Sequence, residues 1–251
     1  MQQSNTYIIL FSIGLTIVIG GLLSVTSVVL KPLQDRQVEL DTKRSILGAV
    51  MDVSSIKDPD QVLKVYSERI NSYVVDYEGN RLITNAKGDS IVAEKVNVSK
   101  NSKLPAEERQ YPVFQAMDNG NVDAYIFPMY GQGLWDWIAG FIALDGDLNT
   151  IKGVSFSHKT ETPGLGARIT DAEVQNRYIG KKIYSSSGNL ESVEMIKGEK
   201  GLPLDDHHID GLSGATMTGN GVNAMLLKYL RSYENFMSKV KSESGSGVAA
   251  I

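Results

Sequence analysis

Residues 111–158 read YPVFQAMDNGNVDAYIFPMYGQGLWDWIAGFIALDGDLNTIKGVSFSH, and this stretch decides the fold. Its apolar and β-branched runs cover residues 111–117, 122–130, 135–144 and 151–157. Asn-Gly, Gly-Gln-Gly and Asp-Gly-Asp separate these runs, and such sequences are typical of tight connections between neighbouring antiparallel strands. The stretch therefore predicts an antiparallel meander.

Helices are expected on both sides of the meander, which makes the fold class α+β with a mainly antiparallel sheet and flanking helices. Upstream, the pattern predicts a helix over residues 60–72, a hairpin over 73–83 and a polar surface excursion over 86–108. Downstream, it predicts a short helix over 171–178, strands over 182–184 and 192–196, a loop over 198–210 and a closing amphipathic helix over 219–238. We expect this domain to occupy residues 61–240, with a flexible tail over residues 241–251.

The N-terminus holds an apolar segment of a different kind. Residues 7–30 carry no charge over 24 positions, and as a helix they would be about 36 Å long against a hydrocarbon core of about 30 Å. No basic residue precedes the segment, whereas a secretory signal peptide has a basic start and a shorter apolar stretch. We therefore expect a retained, single-pass membrane anchor over residues 1–30, followed by a stalk over residues 31–60 with its helix over 34–53.

The flanks and faces of this anchor leave two questions open. Small side chains recur every four residues along it, at Ser12, Thr16, Gly20 and Ser24. Such a stripe lets another membrane helix approach closely, but these residue types are also common in membrane segments without a partner. Basic residues follow the span, at Lys31, Arg36, Lys43 and Arg44. They would hold the C-terminal side in the cytoplasm, yet this rule weakens for long domains, so charge alone does not determine the orientation.

Composition excludes several classes of function. A formal net charge of −4 argues against a nucleic-acid partner, because such binding depends on neutralising phosphates. The chain has no cysteine, so Cys-ligated zinc, iron–sulfur clusters and catalytic thiolates are excluded, and redox chemistry would need an organic cofactor. No catalytic nucleophile motif or P-loop is found. Asp205-Asp206-His207-His208 is interpreted as a solvated polar loop rather than a metal site, because adjacent side chains on an extended segment point apart.

Two short segments could carry chemistry. Residues 161–166 read E-T-P-G-L-G and follow a predicted strand; this E-T-P-G loop could bring backbone close to a flat ligand, or could be an ordinary tight turn. Residues 210–218 read D-G-L-S-G-A-T-M-T and lead into the last helix; this S-G-A-T segment could bind a phosphate at the helix start. Alternatively, one of its hydroxyls merely caps that helix.

Taken together, the two segments resemble those of a known family. The S-G-A-T segment resembles the motif at which a flavin transferase attaches FMN through its phosphate to the closing threonine, and the E-T-P-G loop resembles the companion segment that lies against the flavin ring. With Gly133-Leu134-Trp135, Gly140-Phe141 and Gly219-Asn220-Gly221-Val222, they resemble the C subunit of the bacterial sodium-translocating NADH:quinone oxidoreductase. A related alternative is the G subunit of the ferredoxin-linked ion-translocating electron-transport complex, which shares both motifs.

The resemblance implies a role for each motif residue. Thr216 would carry covalent FMN, and the phosphate surroundings would be Ser213, Gly214 and Ala215, with Asp210 as a further cofactor-binding residue. The contacts to the ring would come from Thr162, Gly164, Leu165 and Gly166. We expect Trp135 to pack in the core, with packing near the flavin as the alternative. We expect His158 to be an ordinary histidine at a strand end, with proton transfer to a reduced flavin as the alternative.

The same resemblance implies a setting. The chain would be a non-catalytic electron-relay subunit between an iron–sulfur centre and another flavin, in a complex that pumps sodium. It would lie in the bacterial inner membrane with its main domain in the periplasm, and its partners would be the other membrane, flavin and iron–sulfur subunits and the flavin transferase. The hypothesis from another class is a membrane-tethered binding module without a redox group.

Overall fold

The structure is a computed structural model that describes residues 4–84, 88–197 and 204–245. The chain divides into two compact units, Met1–Asp41 and Thr42–Ile251. Helix α1 (Asn5–Gly48) contains residues 5–41 of the first unit and the first residues of the second. All remaining elements lie in the second unit.

Helix α1 confirms the long apolar N-terminal helix. In the described part of the chain it is the one helix long and apolar enough to cross a membrane, and none of its apolar window is buried. The helix continues without interruption past Pro32, where an ion pair between Lys31 and Asp35 bridges the next turn. The stalk helix predicted over residues 34–53 is therefore the continuation of α1, and the prediction is wrong at its end, because the helix stops at Gly48.

A six-stranded sheet forms the second unit. Its strands are β1 (Ile70–Val75), β2 (Arg81–Leu82), β3 (Tyr111–Asp118), β4 (Asn121–Gln132), β5 (Trp137–Asp145) and β6 (Ile151–His158). The order is β2-β1-β3-β4-β5-β6, and all neighbours are antiparallel, which confirms the meander. Strand β5 begins two residues later than predicted, because residues 133–136 form a turn closed by a hydrogen bond from Gly133 N to Asp136 O, 2.8 Å apart.

Short helices and a second sheet surround this framework. The helices are α2 (Pro59–Arg69), α3 (Val98–Asn101), α4 (Ala172–Asn176), α5 (Thr216–Ser232) and α6 (Glu234–Gly245), with 3-10 turns at Ala93–Lys95, Ala106–Glu108 and Gly166–Thr170. Strands β7 (Glu194–Ile196) and β8 (His208–Asp210) pair in parallel. The predicted loop over 198–210 is therefore wrong at its end, and the predicted strand over 182–184 forms isolated bridges only. Residues 198–203 of that loop and 246–251 of the predicted tail lie outside the described residues, whereas residues 241–245 belong to α6.

Helix α5 is held against the sheet by its apolar face. Its buried side chains include Val222, Met225 and Leu226, which join the core cluster with β4 and β5. The break between α5 and α6 falls at Tyr233, whose ring lies 4.4 Å from that of Phe127 and whose hydroxyl donates to Pro112 O at 2.7 Å. The predicted single helix over 219–238 is thus two helices. The first starts three residues early, which places Thr216 in its first turn.

Candidate functional site

The two motif segments lie side by side in the structure. A Cβ placed on Gly214 would lie 2.9 Å from the Leu165 side chain, so the S-G-A-T segment and the E-T-P-G loop are in direct contact. Gly214 has a φ of +77°, a conformation that glycine adopts without strain. The contact joins residues that are about 50 positions apart, and the sequence predicted each segment without predicting their distance.

A buried carboxylate connects these segments to a third. Glu161 is 3% exposed. Its Oε1 accepts a hydrogen bond from Trp135 N at 3.1 Å, and its Oε2 accepts one from Thr218 Oγ1 at 2.6 Å. The carboxylate therefore joins the E-T-P-G loop to the turn over residues 133–136 and to the first turn of α5.

Trp135 does not pack in the core, so that expectation is wrong. It lies in the turn before β5 rather than in the strand, and it is 66% exposed. Its indole Nε1 donates to Thr162 Oγ1 at 3.2 Å, which holds the ring beside the E-T-P-G loop. The turn that closes between Gly133 and Asp136 is the physical reason, because it ends the β4 ladder before the tryptophan.

The hydroxyls of the S-G-A-T segment differ sharply in accessibility. Ser213 and Thr216 are exposed, whereas Thr218 is 1% exposed and donates to Glu161. No side chain caps helix α5 at Ala215, so the capping role considered for these hydroxyls is wrong. The first N–H groups of a helix lack intrahelical partners and carry partial positive charge, so the start of α5 suits a phosphate on a nearby exposed hydroxyl.

The remaining predicted site residues are divided between the surface and the interior. Exposed are Thr162, Gly164, Leu165 and Gly214, whereas Gly166 and Ala215 are buried and Asp210 is half-buried. Surface apolar side chains accompany them: Leu134, Trp135, Leu165 and Met217. An apolar, solvent-facing rim of this kind fits a flat aromatic ring, and the start of α5 fits its phosphate. The residues present therefore fit FMN.

The histidines take local structural roles. His158 Nδ1 accepts from Glu161 N at 3.3 Å and so shapes the turn after β6. His208 Nδ1 lies 2.7 Å from Asp205 Oδ1, and this contact lowers the pKa of the Asp205 carboxyl. A cavity of about 980 Å³ lies elsewhere, and none of its lining residues belongs to the two motifs; they include Arg44, Asp52, Lys152 and Gln175.

Comparison with known proteins identifies the family. Residues 133–231, which contain both motifs and the turn that bears Trp135, match the model of the FMN-binding domain. The C subunit of the Na(+)-translocating NADH-quinone reductase of Pseudomonas aeruginosa is 30% identical over 242 residues, which cover 90% of this chain and 91% of that protein. The chain belongs to this C-subunit family. The corresponding C subunit of Pasteurella multocida is 29% identical, with 94% of this chain and 92% of that protein covered.

Solved structures of the C-subunit family share the fold. The crystal structure from Parabacteroides distasonis is 33% identical, covers 83% of this chain and 97% of that chain, and gives a TM-score of 0.70. The structure from Shewanella oneidensis gives the same TM-score at 23% identity, covers 82% of this chain and 99% of that chain, and supports the fold alone. Both results agree with the α+β architecture and antiparallel sheet described above.

Sequence reasoning missed Arg177 altogether. Its Nη1 donates to the carbonyl oxygens of Asp210 and Gly211, each at 3.1 Å, and so fixes the start of the S-G-A-T segment. No local pattern could have found it, because the contact is made to backbone 33 and 34 residues away. Glu161 was recognised as the first residue of the E-T-P-G loop, but only the structure shows that its carboxylate is buried and joins this loop to two other segments.

Proposed function

We propose that this member of the C-subunit family is the FMN-bearing subunit of a sodium-translocating NADH:quinone oxidoreductase, with FMN attached to Thr216 through a phosphoester. One observation carries the proposal: an exposed threonine hydroxyl stands in the first turn of α5, next to a loop that can hold a ring. Thr218, two residues on, has an equally competent hydroxyl but is buried and bonded to Glu161. Accessibility thus favours Thr216 over Thr218, and the family motif favours it over Ser213.

Ester formation needs little from the chain itself. The Thr216 hydroxyl oxygen would form a bond to the flavin-side phosphorus of a flavin dinucleotide, and the bond from that phosphorus to the bridging oxygen of the pyrophosphate would break. The nucleoside monophosphate would leave with the electron pair of that bond, and the hydroxyl proton would pass to solvent. A separate flavin transferase supplies the activated flavin. The open N–H groups at the start of α5 then offset the negative charge that stays on the phosphate.

The residues around the attachment point would hold and orient the cofactor. FMN would supply reversible electron transfer, and a chain without cysteine cannot hold a Cys-ligated iron–sulfur cluster for that purpose. Thr162, Gly164 and Leu165 offer exposed contacts for the ring, whereas Gly166 is buried against the Glu161 carboxylate. The proposed role is an electron relay between an iron–sulfur centre and another flavin of the complex, with no catalysis by this subunit alone.

The proposed location is the bacterial inner membrane, with residues 31–251 in the periplasm. The domain is long, so the basic residues after the span need not keep it in the cytoplasm. Protease added outside spheroplasts should digest the domain. Protection until the membrane is lysed would place the domain on the cytoplasmic side.

The anchor is proposed to contact partner subunits along its small-residue stripe. Gly20 has no atom within 4 Å of an added Cβ, so Gly20→Leu is tolerated within this chain and would disturb only a neighbour. We expect this change to weaken co-purification of the complex, with Gly21→Leu, an equally open glycine off the stripe, as the control. Equal co-purification of both variants would show that the stripe is incidental.

The test of the proposed function is direct. The full chain, made in cells that contain the flavin transferase, should show a flavin absorption spectrum that survives denaturation and an intact mass increased by one esterified FMN. A colourless protein of unmodified mass would instead support the membrane-tethered binding module without a redox group.

A further inference from the structure

The Glu161 carboxylate is buried, which is unusual for an acidic side chain. Burial of an acidic side chain is costly unless hydrogen bonds satisfy it. Within the described residues its two oxygens accept from neutral donors only, the Trp135 backbone N–H and the Thr218 hydroxyl. Its own backbone N–H donates to His158 Nδ1. This one residue therefore has hydrogen-bond partners in three separate parts of the chain.

The surrounding backbone leaves room for this arrangement. A Cβ on Gly133 would collide with Glu161 Oε1, and a Cβ on Gly166 would collide with both Glu161 Oε2 and the Thr218 hydroxyl. Two glycines thus stand where any side chain would displace the carboxylate. The pair between Glu161 and Thr218 is built into the packing rather than resting on the surface.

The segments that Glu161 joins are those that would hold the cofactor. Thr218 lies in the same helical turn as Thr216, the proposed attachment point, and Trp135 bonds to Thr162 in the loop proposed to contact the ring. We propose that Glu161 is a positioning residue that fixes the E-T-P-G loop relative to the helical turn bearing Thr216, and so holds the covalent flavin in one orientation. This inference rests on the proposed function.

The proposed role requires a side chain at position 161 that is long enough to reach both Trp135 N and the Thr218 hydroxyl and that can form a hydrogen bond with each. Binding sites work when their contact residues are held within about 0.5 Å by a supporting layer. Glutamine has the length of glutamate, and it can accept from Trp135 N while its amide donates to the Thr218 oxygen. Aspartate is one methylene shorter and cannot span both donors. Glu161→Gln should therefore preserve the position of the ring, and Glu161→Asp and Glu161→Ala should lose it.

The experiment measures the mobility of the flavin itself. The full chain is produced with the flavin transferase and purified in detergent, and the fluorescence anisotropy of the flavin is recorded beside the intact mass. We expect Glu161→Ala and Glu161→Asp to lower the anisotropy while the mass of the adduct is retained, and Glu161→Gln to match the unaltered chain. Glu108→Ala, an exposed carboxylate in a 3-10 turn, is the control that should change nothing.

A second variant keeps the test decisive if Glu161→Ala does not fold. Thr218→Val has nearly the same shape and removes only the hydroxyl donor, so it should also lower the anisotropy. Unchanged anisotropy in Glu161→Ala or Thr218→Val would overturn the proposal, as would a fall in Glu161→Gln equal to that in Glu161→Ala. Absence of any adduct in the unaltered chain would instead reject the proposed function. The Glu161 variants would then be judged by the anisotropy of FMN added to the chain.

Discussion

The S-G-A-T segment and the E-T-P-G loop lie in contact, yet they are built in opposite ways. In the S-G-A-T segment the decisive side chain, Thr216, is exposed and caps nothing. In the E-T-P-G loop the decisive side chain, Glu161, is 3% exposed and bonded on both oxygens. A group that another enzyme must modify has to be reachable, whereas a group that fixes geometry has to be enclosed. Substitutions in the S-G-A-T segment should prevent the attachment of FMN without unfolding the domain. Substitutions in the E-T-P-G loop should lower the stability of the domain and leave the adduct in place.

The largest effect is expected at the attachment point. Thr216→Ala should abolish the covalent flavin completely, because the esterified oxygen is gone. The free energy of unfolding, measured by thermal denaturation, should stay within about 0.5 kcal/mol of that of the unaltered chain, as is usual for substitutions at exposed sites. Thr216→Ser, which keeps a hydroxyl at the same place, is the matched control and should still accept FMN. An FMN adduct on the Thr216→Ala variant would contradict the assignment of Thr216 as the attachment point.

A glycine beneath the E-T-P-G loop should show the opposite behaviour. Gly166→Ala places a Cβ against the Glu161 carboxylate and the Thr218 hydroxyl, and such overpacking typically costs about 1–3 kcal/mol. The adduct on Thr216 should remain, as judged by intact mass. Gly146→Ala, where the nearest atom to an added Cβ is 3.7 Å away, is the control. Equal stability of the two variants would show that the pocket for the carboxylate is not tightly packed.

Substitution of Arg177 should affect both the stability of the domain and the yield of the adduct. Arg177→Met removes the donor to the carbonyls of Asp210 and Gly211, and each such bond is worth about 1 kcal/mol. We expect a modest loss of stability together with a lower yield of adduct, because the S-G-A-T segment is less well placed for the transferase. Arg231→Met, exposed on α5, should affect neither quantity.

The smallest effect is expected in the turn that presents Trp135. Lys159 Nζ lies 2.8 Å from Asp136 Oδ2, and this contact, with a backbone hydrogen bond from Trp137, lowers the pKa of the Asp136 carboxyl. A lowered pKa means that the contribution to stability is present above the ordinary carboxyl pKa and is lost as pH falls through the folded value. Lys159→Met should raise the Asp136 pKa toward its ordinary value in an NMR titration, and Lys103→Met should leave it unchanged.

The sequence predicted those features of the fold that are determined by residues close together in the chain. Turn dipeptides predicted the meander correctly, because hairpin geometry is set by the residues in the turn. The start of α5 was predicted three residues late because residues 213–218 are small and rich in hydroxyl groups, a composition that favours a loop. In the structure a Cβ on Gly221 would collide with Gln132 O, so the glycine permits close packing of the helix on the end of β4.

Long-range features escaped prediction for a shared reason. The parallel pairing of β7 with β8 joins two three-residue strands, too short to show a periodicity of their own. Trp135 was assigned to a strand because its neighbours are apolar, and only the hydrogen bond between Gly133 and Asp136 removes it from the ladder. The Glu161 carboxylate bonds to Trp135, 26 residues away, and Arg177 bonds to Asp210, 33 residues away, and no spacing rule connects these pairs. The motif residues were recognisable, whereas the long-range contacts that position them were not.

The most direct test of the central claim is fragmentation mass spectrometry of the peptide over residues 201–228, released by cleavage after Lys200 and Lys228. It contains all three candidate hydroxyls, Ser213, Thr216 and Thr218, so one spectrum distinguishes them. In protein from transferase-competent cells we expect a single FMN adduct on Thr216. An adduct on Ser213 or Thr218, or an unmodified peptide, would contradict the account.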